Sequence, residues 1–131
     1  MKKLSKYEQT LLDGWEDIYK KSQLTFWILL ALEAGDKHMS EIKHFIQEST
    51  KETLTVDDQS MYRALRRFAD AELVSAYTKP SQSGPDLKVY TVTETGLRIL
   101  ESFTKRNIVD IYLNPSILKR ITKVANTKGA N

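Results

Sequence analysis

Two short runs of alternating polarity, residues 73–78 and 87–92, interrupt a chain whose other apolar residues recur at intervals of three and four. Between the runs lies Lys79-Pro80-Ser81-Gln82-Ser83-Gly84-Pro85-Asp86, a segment dense in turn-forming residues. Period two on either side of such a segment predicts a β-hairpin with a long tip. The fold class that follows is mainly α with one small hairpin, and the order of helices around the hairpin narrows it further.

Upstream, Leu4, Tyr7, Leu11, Leu12, Trp15, Ile18 and Tyr19 form one amphipathic stripe. Residues 24–32 are apolar nearly all round, as a central buried helix should be, and Gly35-Asp36 stops them. Ile42, Phe45 and Ile46 mark a third helix, and polar residues 49–54 read as a loop. A fourth helix is expected over residues 57–72, with Thr55 as its cap and Asp58 closing a reciprocal box. Downstream of the hairpin, Thr93 caps a helix that carries Leu97, Leu100 and Phe103 and extends toward Tyr112. Asn114-Pro115 then restarts a last helix, because an N-cap followed by proline suits the first helical turn. Residues 126–131 read as a frayed tail. Three helices followed by a two-stranded wing make a winged helix-turn-helix, here with an additional helix at each end. At 131 residues the chain is expected to be a single domain. Its parts are an N-terminal helix over 4–21, a winged helix-turn-helix over 22–104 and a C-terminal dimerisation helix over 113–126.

The fourth helix stands directly before the wing, in the position of a recognition helix. At about 100° per residue, Met61, Leu65 and Phe68 share one face and must point to the core. Gln59, Arg63, Arg66 and Asp70 point away, with Ser60 and Arg67 on one flank and Tyr62 on the other. Arginine can read guanine O6 and N7, glutamine can read adenine, and hydroxyls can anchor phosphates. Residues near the N-terminus of such a helix reach bases deepest. Gln59, Ser60 and Arg63 are therefore assigned to base reading, and Arg66 and Arg67 mainly to phosphates. Tyr62 and the wing residues Lys79, Ser81 and Lys88 complete the candidate double-stranded DNA site.

Charge alone does not single out this segment. Residues 51–90 carry six basic and six acidic side chains, and the excess sits in residues 105–131, at net +5. That balance leaves an alternative in play, a winged-helix protein-interaction module without specific DNA binding. Asp57, Asp58 and Asp70 add weight to it, since carboxylates repel phosphate. Enzyme chemistry finds little footing. There are no cysteines, the five glycines are scattered rather than gathered into a phosphate loop, and Asp57-Asp58 has a capping explanation. His38 and His44 lack a third ligand at zinc spacing and read as surface histidines. No metal or cofactor is expected. No run of 18 apolar residues occurs, so no segment is expected to span a membrane, and the absence of cysteine fits a cytoplasmic protein.

Four segments, in order and at the right spacing, resemble the PadR-like family of transcriptional regulators. Residues 24–32 resemble the family's apolar first helix, and 58–68 its recognition helix. Ala71-Glu72-Leu73-Val74 resembles the "E-G-L-V" that leads into the wing, and residues 88–96 the "K-x-Y-x-L-T-x-x-G" that leaves it. The chain departs at Met39-Ser40-Glu41-Ile42, which keeps the last two residues of "G-Y-E-I", and at Pro85-Asp86, where basic residues are common. The resemblance implies a homodimer joined through its terminal helices. It also implies repression relieved by a small-molecule effector, whose identity the residues do not specify. The terminal stripes themselves allow two readings, packing on their own core or pairing with a second copy. The second assigns Leu4, Tyr7, Leu11 and Trp15, with Leu113, Ile117, Leu118, Ile121 and Val124, to a dimer interface. Trp15 and Trp27 read as buried tryptophans rather than as a ligand-flanking pair.

Overall fold

The computed structural model describes residues 3–126. The first helix, α1, spans Lys6–Ser22, and Ser5 starts it. The Glu8 N–H donates to Ser5 Oγ (3.1 Å) while the Ser5 N–H donates to Glu8 Oε1 (2.8 Å), a reciprocal capping box. Then follow α2 over Leu24–Glu33, a two-residue strand β1 at Lys37–His38, and α3 over Met39–Ser49. The helix expected to read DNA, α4, spans Asp58–Asp70 and leads into the hairpin of β2 (Val74–Lys79) and β3 (Leu87–Val92). Beyond it come α5 (Glu94–Thr104), a π-helical turn (Lys105–Val109), α6 (Asp110–Tyr112) and α7 (Pro115–Asn126). The mainly α winged helix-turn-helix is as expected. The tail past Asn126 lies outside the described residues.

The chain forms two compact units, Ser22–Leu100 and the terminal segments up to Lys21 and from Glu101 onward. The inner unit holds the core. Ile28 and Leu32 of α2, Ile42 and Ile46 of α3, and Met61 and Leu65 of α4 are completely enclosed. Removing each such side chain from water stabilises the fold by roughly 1.5–3 kcal/mol. The sheet beside them has three strands in the order β1-β3-β2, all antiparallel, with Lys37 opposite Tyr90 and Val74 opposite Val92. β1 was not expected, because two residues are too few to establish a period.

The junction of α4 with the wing explains several wing-flanking residues. Glu72 turns the chain out of the helix with a left-handed backbone (φ 63°), and the Leu73 N–H donates back to the Phe68 carbonyl at 2.8 Å. Such a C-terminal motif is most often made by glycine. Across the junction, Thr93 Oγ1 donates to the Glu72 carbonyl (2.7 Å) and accepts from the Gly96 N–H (3.0 Å). One threonine thus caps α5 and fastens it to the end of α4. Gly96 is required here, since a Cβ would lie 2.3 Å from the Leu73 carbonyl oxygen.

The structure also corrects four expectations. The cap of α4 is Asp57, not Thr55 with Asp58. Leu54 is buried and Val56, two residues on, packs against the core. An alternating pair of that kind needs extended backbone, which delays the helix. At its other end α4 stops at Asp70 rather than Glu72, because Glu72 is the turn residue just described. The helix after the wing reaches Tyr112, but through a π-helical turn. Trp15, finally, is not a buried tryptophan: it is 73% exposed, since no residue of α1 is buried. Trp27 does pack against the core, edge-on to Phe26 with ring centroids 5.4 Å apart.

Candidate nucleic-acid interface

The start of α4 is set by a carboxylate. The Ser60 N–H donates to Asp57 Oδ1 (2.8 Å), and Ser60 Oγ donates to Asp57 Oδ2 (3.1 Å). Those two hydrogen bonds, the backbone one first, hold the Asp57 carboxyl below its ordinary value of 3.8. Asp57 is thereby turned toward the helix end it caps. Asp58, next to it, accepts from Lys43 Nζ of α3 at 2.6 Å. Of the three acids that weigh against a phosphate partner, the two at the start of the helix are engaged within the protein, and Asp70 is exposed at its far end.

From that start, α4 divides as its periodicity predicts. Met61, Ala64, Leu65 and Phe68 are buried, and Gln59, Tyr62, Arg63, Arg66 and Arg67 are exposed. The Arg67 guanidinium carbon stands 5.6 Å from the Phe68 ring centroid, so this arginine lies along the flank of the helix. Ser60 is half-buried and its hydroxyl is occupied by the cap.

An open cleft of about 740 Å³ adjoins the first turns of α4, walled by α3 on one side and the wing on the other. Tyr62 and Lys88 meet here, among the residues expected to bind DNA, and Tyr90 lines the cleft with them. The Lys88 ammonium lies 5.7 Å from the Tyr90 ring centroid. Burial, with Tyr62 as a lesser cause, raises the Tyr90 phenol above its ordinary value. Lys79 and Ser81 do not line the cleft. Lys79 ends β2 opposite Leu87, and Ser81 begins the tip, where its Oγ accepts from the Ser83 N–H at 3.4 Å. The α3 wall adds Ser40, His44 and Gln47. None of these three was expected at the DNA site; their i, i+4 and i+7 spacing was the available signal. Among the described residues no group of three histidines or acids could hold a metal ion. Among the same residues, no helix is long and apolar enough to cross a membrane.

The residues assigned to a dimer interface all lie in the terminal unit and are all exposed in the single chain. They run from Leu4, Tyr7, Leu11 and Trp15 at one end to Leu113, Ile117, Leu118, Ile121 and Val124 at the other.

Known structures share this fold. A PadR-like transcriptional regulator from Bacillus cereus is 26% identical, covering 74% of this chain and 93% of its own, at a TM-score of 0.60. A PadR-like transcription factor from Bacteroides fragilis is 22% identical, over 87% of this chain and 97% of its own, at 0.57. Bacillus subtilis PadR, solved in complex with operator DNA, is 18% identical over 82% and 74%, at 0.59. No curated protein matches the sequence. The likeness to the second and third of these structures is one of fold. The sequence itself carries the stronger relation: residues 28–112, from the core of α2 to the end of α6, match the model of one family. With a wing behind an arginine-bearing helix, and with that match over more than half its length, the chain belongs to the PadR-like family of transcriptional regulators.

Proposed function

We propose that this protein is a transcriptional repressor that binds a pseudo-palindromic operator as a homodimer. The observation that carries the reading is the outer face of α4, which presents Gln59, Arg63 and Arg66 to solvent on a helix whose first acids are already engaged. Gln59 and Arg63 read base edges in the major groove. Ser60 stands at the same end of the helix and reaches a base or phosphate through a hydroxyl it shares with Asp57. Arg66, Arg67 and Tyr62 take the backbone of the reading helix's groove, and Lys79, Ser81 and Lys88 take the backbone beside the wing. The exposed stripes of α1 and α7 pair with a second copy and set two half-sites about one helical turn apart.

A mobility-shift titration with genomic fragments, the protein's own promoter among them, tests the reading. Saturable binding below micromolar protein at moderate salt is expected. If none appears, the DNA reading fails and a protein-interaction module takes its place. Arg63→Ala should cost on the order of 1–3 kcal/mol and relax preference at one base position. Lys79→Ala should weaken all sequences alike and flatten the salt slope by about one. Equal losses on every sequence from both changes would overturn this division of roles.

A further inference from the structure

The cleft beside α4 contains two lysines in different states. Lys88, on the wing, lies near an aromatic ring and has no carboxylate partner among the described residues. Lys43, on α3, is held at 2.6 Å by Asp58, with 29% of the lysine side chain and 70% of the aspartate side chain exposed. Asp58 is not needed as a cap, since Asp57 fills that role. Its place in the first helical turn is favourable for a negative charge, but any acid there would satisfy the dipole without reaching another helix. The bond to Lys43 spans 15 residues of sequence and joins the two helices on the face the duplex would approach.

We propose that the Lys43–Asp58 pair is a brake on nonspecific DNA binding, which makes Asp58 a specificity-determining residue acting through Lys43. The inference rests on α4 docking on DNA. Nonspecific affinity is set by how many phosphates the protein neutralises, and each adds about 0.9 to the slope of log affinity against log salt. A lysine already neutralised by Asp58 is withheld from that sum. Base contacts of Gln59 and Arg63 hold the operator complex in one register, in which Lys43 stays with Asp58. The register-free complex with other sequences is held by phosphates alone and is the one that a freed Lys43 would strengthen. The ratio of specific to nonspecific affinity rises. Asp57 cannot play this part, because its oxygens are turned to the helix end.

The test measures binding of the full chain by fluorescence anisotropy between 50 and 200 mM KCl. The probes are a random-sequence duplex and a duplex recovered by selection from a random pool. Asp58→Asn should tighten binding to the random duplex at 50 mM and steepen its salt slope by about 0.9. That adds roughly a threefold further loss of affinity across this fourfold range of salt. The gap between the two duplexes should narrow. Adding Lys43→Gln to Asp58→Asn should return the slope to that of the parent protein. An unchanged slope in Asp58→Asn overturns the brake, and so does a steepening that survives in the double variant, since Asp58 would then act by its own charge alone. Either result leaves the DNA reading standing. Failure of the parent protein to bind either duplex overturns that reading first, and the brake with it.

Discussion

α4 and α7 are alike in sequence and opposite in circumstance. Both are two-faced helices of about three turns, and both start from a side-chain cap, Asp57 on Ser60 in one and Asn114 on Ser116 (3.0 Å) in the other. Both carry a basic polar face. Yet Met61 and Leu65 of α4 are at most 1% exposed, whereas Ile121 and Val124 of α7 are 41% and 69% exposed. Periodicity therefore identifies a face that must be covered, and leaves open whether the cover comes from the same chain. In α4 it comes from α2 and α3, which share its core cluster, and the polar face is left to solvent. In α7 the apolar face itself is exposed in the single chain.

Substitution should separate the two helices sharply. Leu65→Ala opens a cavity in a closed core and should cost about 2–5 kcal/mol in denaturant melts, whatever the protein concentration. Ile121→Ala, measured at low concentration, should cost less than about 1 kcal/mol. Equal costs would mean that α7 is covered by its own chain. The combined change Ile117→Asp and Ile121→Asp should convert the sedimenting species from dimer to monomer and leave the inner unit folded. A dimer that survives both charges would move the interface away from α7.

The ends of α4 allow finer tests. Glu72 holds a left-handed backbone at φ 63°, which is costly for any residue with a Cβ. Glu72→Gly should therefore stabilise the protein by about 1 kcal/mol without touching the Thr93 bond, which uses only the Glu72 carbonyl. A loss of stability would mean that the Glu72 side chain contributes something the backbone does not. The smallest effect concerns pH. The Asp57 carboxyl is held below 3.8 by its bonds to Ser60. A group lowered in the folded state contributes stability above its unfolded value, and loses it as pH falls through the folded one. Parent and Asp57→Ala melting temperatures should thus differ at pH 7, begin to converge at about pH 4, and meet only once the pH is below the lowered folded-state value. A gap that persists in acid would mean the cap works without its charge.

Much of this was legible along the chain. The stripes in α1 through α4, the wing, the Thr93 cap and the Asn114-Pro115 restart are local patterns, and local physics is sufficient to read them. The start of α4 was not, because Thr55 and Asp57 are both competent caps. The choice fell to Leu54 and Val56, whose packing holds the backbone extended to the later one. β1 escaped notice because its two residues become a strand only by pairing with Tyr90 and Val89. In the candidate interface, the outer face of α4 could be read from helical spacing. The state of its acids could not, since Lys43 lies on another helix.

The sequence by itself thus determined the helices, the hairpin and the face of α4 that carries Gln59, Arg63 and Arg66. All of these follow from backbone periodicity and from residues within a few positions of one another. Tertiary structure alone decided that Asp57 is absorbed as a cap while Asp58 holds Lys43. It also decided that the cleft brings Ser40, His44 and Gln47 beside Tyr62 and Lys88, and that the apolar faces of α1 and α7 stay open. Each of these depends on which surfaces come together across the fold, and burial and charge pairing at a distance have no local signature.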